Sequence, residues 1–124
     1  MLRKFRFRGF KIYQDAITFR REVIILVEEH FPKREFVLRD QILRAVTSIV
    51  LNIAEGADRG TDKDFALFLN HSHTSLNEVV ACLDLALGDG FIGGELHQEF
   101  LLKAELLANQ LTAFRKSLIS KPLK

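Results

Sequence analysis

At 124 residues and 14.2 kDa the chain has the length of one domain, enough to bury a real core. Its single cysteine, Cys82, excludes an internal disulfide framework and fits a reducing compartment. No apolar run reaches the roughly 18–20 residues of a membrane span, and basic residues break up the first eight positions, unlike a secretory signal. A cytoplasmic protein without membrane partners is expected.

The net charge of +2 conceals a pattern. Residues 1–21 carry seven basic side chains and one acid, and residues 115–124 carry four basic side chains and no acid. The stretch between them is acidic. Basic ends on an acidic body suit a nucleic acid or the body of a neighbouring subunit.

Residues 1–9 read as an arm in which Phe5, Phe7 and Phe10 alternate with Arg6, Arg8 and Lys11. Basic residues interleaved with aromatics suit nucleic-acid backbones and stacked bases. The same phenylalanines equally suit anchors that pin a tail to the body. The arm residues Arg3, Lys4, Arg6, Arg8 and Lys11, with Arg115 and Lys116 from the other end, are the candidate nucleic-acid contacts.

The body, residues 10–119, contains four helical patterns, and residues 120–124 form a short basic tail. The first helix is predicted over Lys11 to His30, with Ile12, Ala16, Phe19, Val23, Leu26 and Val27 on one face. Phe31-Pro32 ends it, because proline pushes its predecessor out of the helical region. The second helix is predicted over Phe36 to Glu55, with Ile42, Val46, Ile49 and Ile53 inward. Gly56 then stands where a left-handed cap residue belongs. Thr61 is the expected N-cap of a third helix running to Leu87, and Asp62 and Asp64 suit its first turn. Gly88-Asp89-Gly90 stops it. A fourth helix follows from Glu95 to Ile119, with Leu96, Phe100, Ala104, Leu107 and Leu111 inward. Pro122 stops the chain.

Four amphipathic helices with short connections predict an all-α fold, an antiparallel up-down-up-down four-helix bundle. The first two helices carry more apolar positions than one seam requires. Tyr13, Ile17, Ile24, Leu43 and Val50 are therefore expected at a subunit interface.

Residues with chemistry do not converge. His71 and His73 lie two apart on a helix and face away from each other. His71, Ser75, Glu78 and Cys82 share a stripe without a familiar metal-binding spacing. Cys82 and His71 are about 16 Å apart along the axis, too far to act as nucleophile and base. No Glu-x-x-His pair and no phosphate-binding glycine motif occur. No catalytic residue, metal site or cofactor is expected.

One polar stripe stands out on the second helix: Gln41, Arg44, Ser48, Asn52 and Glu55, with Arg59 just beyond. Asn52 sits between Leu51 and Ile53 and needs a fixed partner if buried. Arg44 or Arg59 is a candidate partner for Glu55, within one subunit or between two. The stripe either locks helix register and assembly or presents Arg44 and Arg59 to a ligand.

The run Leu38-x-x-Gln41-Ile42-x-Arg44-Ala45-x-x-Ser48-Ile49-x-x-Asn52-Ile53-Ala54-Glu55-Gly56 resembles a bacterial family. So do Arg59, Lys63-Asp64-Phe65, Phe68-Leu69 and Ser75-x-x-Glu78 that follow. The family comprises the four-helix proteins encoded in intervening sequences of 23S ribosomal RNA genes, also called S23 proteins. The resemblance covers roughly residues 10–115. The chain departs from the family at Leu43, often an arginine there, at Val50 and Leu51, often a proline and a small polar residue, and at Thr74, usually a glycine. The resemblance implies a homopentamer without enzymatic activity. It also implies kinship with the accessory variability proteins of diversity-generating retroelements, basic pentamers that bind nucleic acid and a reverse transcriptase. Two functions follow: a scaffold binding RNA or DNA through its basic termini, or one docking a protein partner such as a reverse transcriptase.

Overall fold

The computed structural model describes residues 4–120. Its helices begin and end where the side chains dictate. A short 3-10 turn at Arg6–Gly9 leads into α1 (Lys11–His30). The extended backbone of Phe31 before Pro32 ends α1 as expected. The exposed carbonyls there find a partner that the sequence does not advertise. Arg39 donates from Nη1 to the Phe31 carbonyl at 2.9 Å and from Nη2 to Glu28 Oε1 at 3.0 Å, placing a cation at the negative end of the helix.

α2 spans Phe36–Ala57. Gly56 is not the left-handed cap the sequence suggests. It lies inside the helix, fully packed, and only Gly90 among the described residues has a positive φ, at 80°. The reason is contact rather than conformation. A Cβ at Gly56 would fall 2.6 Å from Phe68 Cβ and 3.0 Å from a ring carbon of Phe65. The helix therefore continues to Ala57 and closes in a tight turn, with the Arg59 amide donating to the Gly56 carbonyl at 3.1 Å.

α3 (Asp62–Gly88) opens with the predicted cap, Thr61 Oγ1 accepting from the Asp64 amide at 3.1 Å. It closes on Gly90. The Phe91 amide reaches the Ala86 carbonyl at 2.9 Å and the Gly90 amide the Leu87 carbonyl at 3.1 Å, the paired bonds of a Schellman motif. Phe91 then packs against Phe31 from the α1–α2 connection. α4 (Gly94–Ile119) completes the chain.

Each helix packs against the next, and α4 returns to α1. No strand occurs among the described residues. The core is drawn from all four helices, with Val23, Val27, Ile49, Leu76, Leu83 and Leu111 essentially sealed from solvent. Each such side chain contributes about 1.5–3 kcal/mol by leaving water. Val50, expected at a subunit interface, is 7% exposed and belongs to this core. Tyr13 and Leu43 also pack against the core, and Ile17 remains exposed. Leu43 and Val50 of the α2 arc are thus taken up within the chain, between α1 and α3, whereas Leu51 remains 59% exposed.

Among the described residues no helix is long and apolar enough to cross a membrane.

Candidate functional site

Two features carry most of the predicted site residues: a polar seam between α2 and α3, and a basic end where the start of α1 meets the last turns of α4.

The seam is built from short side chains. Asn52 Nδ2 donates back to the Ser48 carbonyl at 2.9 Å and to Ser48 Oγ at 3.0 Å. Ser75 Oγ, across on α3, donates to Ser48 Oγ at 2.9 Å. One turn away, Ser72 Oγ donates to the Ile49 carbonyl at 2.9 Å, and Ser72 is 0% exposed. Gln41 closes the other end of the seam by donating to Glu78 Oε2 at 2.7 Å. Small residues let the two helices approach, and each polar atom thereby buried acquires a partner. No buried side-chain nitrogen or oxygen among the described residues lacks one. In the sequence, Ser75 and Glu78 of the α3 half share a polar stripe with His71 and Cys82, and Ser72 stands on the apolar face.

The charged members of the stripe do not join this chain of bonds. Arg44 turns outward and pairs with Asp40 at 2.9 Å. Arg59 stacks its guanidinium 4.7 Å from the Phe68 ring centre. Within one chain Glu55 pairs with neither arginine. Arg44 has a nearer carboxylate one turn back on its own helix, and Phe68 captures Arg59 where Gly56 brings α3 close. A shallow open groove runs along this face, between Arg44 and Glu55.

The basic end is organised by three rings. Phe10 stacks on Phe65 at 6.3 Å, and Phe114 meets both edge-on at 5.4 and 5.1 Å. α1, α3 and α4 are thereby tied together. Arg6 lies over this cluster, 5.5 Å from the Phe10 centre and 5.9 Å from that of Phe65, and donates to the Ala57 carbonyl at 3.1 Å. Phe7 meets Tyr13 edge-on at 4.9 Å. The 3-10 turn that begins the arm's attachment is thus pinned by its aromatics, and its first arginine caps α2.

The seven candidate nucleic-acid contacts accordingly divide. Arg6 is held by the rings and a helix end, Lys11 by Asp15, and Arg115 by Asn70 Oδ1 at 3.2 Å. Lys4, Arg8 and Lys116 are exposed and point their charges into solvent. Arg3 lies outside the described residues.

The remaining titratable groups look structural. Burial pushes the Cys82 thiol up, with nearby Glu78 adding to the effect, the opposite of an activated nucleophile. His97 Nε2 meets Asp84 Oδ1 at 2.8 Å and joins α4 to α3. Lys103 bridges to Glu22 at 2.7 Å and Gln110 donates to Asp15 at 2.9 Å, both across the α1–α4 seam. The bond from Glu22 holds Lys103 above the usual lysine range, and the bonds from Lys11 and then Gln110 hold Asp15 below the usual carboxylate range. No group of three metal-ligating side chains gathers among the described residues.

Fold and site together define a small four-helix protein with a satisfied internal polar seam and one end rich in exposed basic residues. The chain belongs to the 23S rRNA-intervening sequence protein family, whose model matches residues 8–113. The chain is also similar to a crystal structure from Bacteroides thetaiotaomicron, described as a protein with unknown function from the S23 ribosomal protein family. The two are 27% identical with a TM-score of 0.75, over 85% of this chain and 95% of that one. No curated protein matches.

Proposed function

We propose that this chain is a non-catalytic scaffold subunit that binds RNA or DNA through basic side chains near its two ends. In this reading it is an antiparallel up-down-up-down four-helix bundle that assembles as a homopentamer in the bacterial cytoplasm. The cross-helix bonds support the topology. Ser72 reaches Ile49 while Gln41 reaches Glu78, so residue number falls along α2 as it rises along α3. Glu22–Lys103 and Asp15–Gln110 support the same relation between α1 and α4. An even number of helices so arranged puts both chain ends at one end of the bundle.

The observation that carries the nucleic-acid reading is the exposure of Lys4, Arg8 and Lys116, in the segments that lead into Phe10 and out of Phe114, whose rings meet. Phosphate backbones are bound by such unneutralised cations, and the affinity falls steeply with salt as counterions are released. Fluorescence anisotropy of a labelled structured RNA across a salt series tests this. Strong binding at low salt that weakens log-linearly is expected, and no binding at low salt refutes it. Light scattering tests assembly, with about five times the 14.2 kDa chain mass expected and a monomer excluding the pentamer.

One observation favours a protein-docking scaffold instead. Phe36 and Val37 at the start of α2 are 75% and 84% exposed, beside exposed Leu85 of α3. Exposed apolar clusters mark partner sites, and a reverse transcriptase is one such partner. Co-purification that survives nuclease treatment separates this reading from the first.

A further inference from the structure

We infer that the nucleic-acid surface is the whole end of the bundle that holds the Phe10–Phe65–Phe114 cluster, including Arg59 and Lys63 of the α2–α3 connection, and that the phosphate backbone lies across this end rather than along the helices. The inference rests on the nucleic-acid reading above and adds the site and the direction of approach.

The rings fix which charges are neighbours. Arg8 lies in the turn before Phe10, Lys63 in the first turn of α3 and Lys116 in the last turn of α4, so three segments each bring one exposed cation to the end of the bundle that holds the cluster. Lys63 and Lys116, two residues from Phe65 and Phe114 on their helices, project away from the rings. Arg59 sits over Phe68, which abuts Gly56 beside Phe65. Stacking occupies the face of its guanidinium and leaves N–H groups on the edge for phosphate oxygens. In the sequence, Arg59 and Lys63 lie in the acidic middle of the chain and look unrelated to its basic ends. The turn at Asp58–Gly60 carries them there.

The charge along the bundle is graded. The segments 4–15, 55–64 and 113–120 that form this end carry eight basic and five acidic side chains. The segments 28–41 and 84–99 that form the opposite end carry three basic and eight acidic side chains. Of the five acids at this end, Asp15 is bonded to Lys11 and Gln110, and Asp62 and Asp64 lie in the first turn of α3, beside the positive end of its dipole. A polyanion is therefore attracted to one end and repelled from the other, which orients its approach before contact. Contacts of this kind carry no base information, so the surface binds backbone without sequence preference. In the proposed pentamer with its axes aligned, five such ends form one basic ring.

The test compares two variants of the full chain, Arg8→Glu/Lys63→Glu/Lys116→Glu at the basic end and Lys33→Glu/Arg34→Glu at the opposite end. Binding of a fluorescein-labelled single-stranded RNA is followed by anisotropy across a salt series. The basic-end variant is expected to lose affinity at least about tenfold at low salt and to show a shallower salt slope, with the opposite-end variant within about twofold of wild type. Circular dichroism and light scattering check that each variant keeps its fold and mass. If the charge reversals disturb either, Arg8→Gln/Lys63→Gln/Lys116→Gln replaces them, with a smaller loss and the same shallower slope expected. Wild-type binding that survives the basic-end variant, or falls with the opposite-end one, overturns this inference alone. Absence of wild-type binding overturns the functional reading beneath it. Salt-sensitive end-to-end stacking of RNA-free protein that the basic-end variant abolishes, with RNA binding unaffected, assigns the surface to the acidic end of a second copy instead.

Discussion

Gly56 and Phe68 hold α2 and α3 in close approach: a Cβ on the first would sit 2.6 Å from the Cβ of the second. In an open helix, replacing glycine by alanine stabilises by about 0.5–1 kcal/mol. Here the sign reverses, because the atom struck is a Cβ fixed to its own backbone and the helices must part. Gly56→Ala is expected to cost about 1–3 kcal/mol. Gly88→Ala, where the added carbon meets nothing within 4 Å, serves as the control. Urea unfolding of both variants checks this, and a Gly56→Ala protein as stable as wild type removes the close approach.

Ser72 provides a second probe of the same interface. Its hydroxyl is sealed and donates to Ile49 at 2.9 Å. Ser72→Ala keeps the volume nearly constant and loses one hydrogen bond, so a loss of about 0.5–1.5 kcal/mol is expected. Ser72→Val adds bulk between two closely packed helices, and its loss is expected to exceed that of the alanine variant. Equal effects from the two changes, measured by urea midpoint, contradict the packing described.

Arg6 and Arg8 are two residues apart and have different tasks. Arg6 spends its charge on the Ala57 carbonyl and two rings. Arg6→Ala is expected to cost about 1–2 kcal/mol, whereas Arg8→Ala stays within about 0.5 kcal/mol of wild type. Thermal unfolding of the pair decides, and a reversed order excludes the capping role. Arg39→Ala at the end of α1 is expected to behave like Arg6→Ala, since it strips the Phe31 carbonyl of its donor.

The α1–α4 seam weakens at both pH extremes for opposite reasons. Asp15 is held below its ordinary value, chiefly by the Lys11 bond. It therefore stabilises above the usual carboxylate pKa of about 4 and loses that contribution as pH falls through its lowered folded value. Lys103 is held above its ordinary value by Glu22. Its contribution is complete below the usual lysine pKa of about 10 and is lost as pH rises through the raised folded value. Both groups are about a third exposed, so each contributes no more than about 1 kcal/mol. The stability gap between wild type and Asp15→Asn should vanish in acid, and that for Lys103→Met in alkali. Gaps independent of pH show that the bonds do not form in solution.

Helix positions were legible because the apolar periodicity of Ile42, Val46, Ile49 and Ile53 and the breakers at Pro32, Thr61 and Gly90 are local signals. Gly56 misled because a glycine at a helix end usually marks a change of backbone hand. Nothing near it in sequence reveals that Phe68 will lie against it. The capping by Arg6 and Arg39 was invisible for a similar reason, since each guanidinium reaches a helix end formed by a different segment. Asn52 was expected to need a fixed partner; that partner is Ser48, one turn back on its own helix, which in turn accepts from Ser75 of α3. The stripe of Gln41, Arg44, Ser48, Asn52 and Glu55 followed from helical spacing. Which members bond was set by distances to neighbouring helices, which spacing does not contain.

The three-ring cluster also sets an order of events during synthesis. Ser48 and Ser75 are 27 residues apart, whereas Asp15 and Gln110 are 95 apart. The α2–α3 hairpin therefore closes at lower entropic cost than the α1–α4 seam. Phe114 leaves the ribosome last of the three rings, and until it arrives Phe10 and Phe65 lack the ring that meets both edge-on. The basic end is thus the final part of the molecule to take shape, and a nascent chain stalled before α4 carries it unformed. Pulse-labelled amide exchange during refolding should show α2 and α3 protected before the Arg6–Gly9 turn, and the reverse order would exclude this sequence of closure.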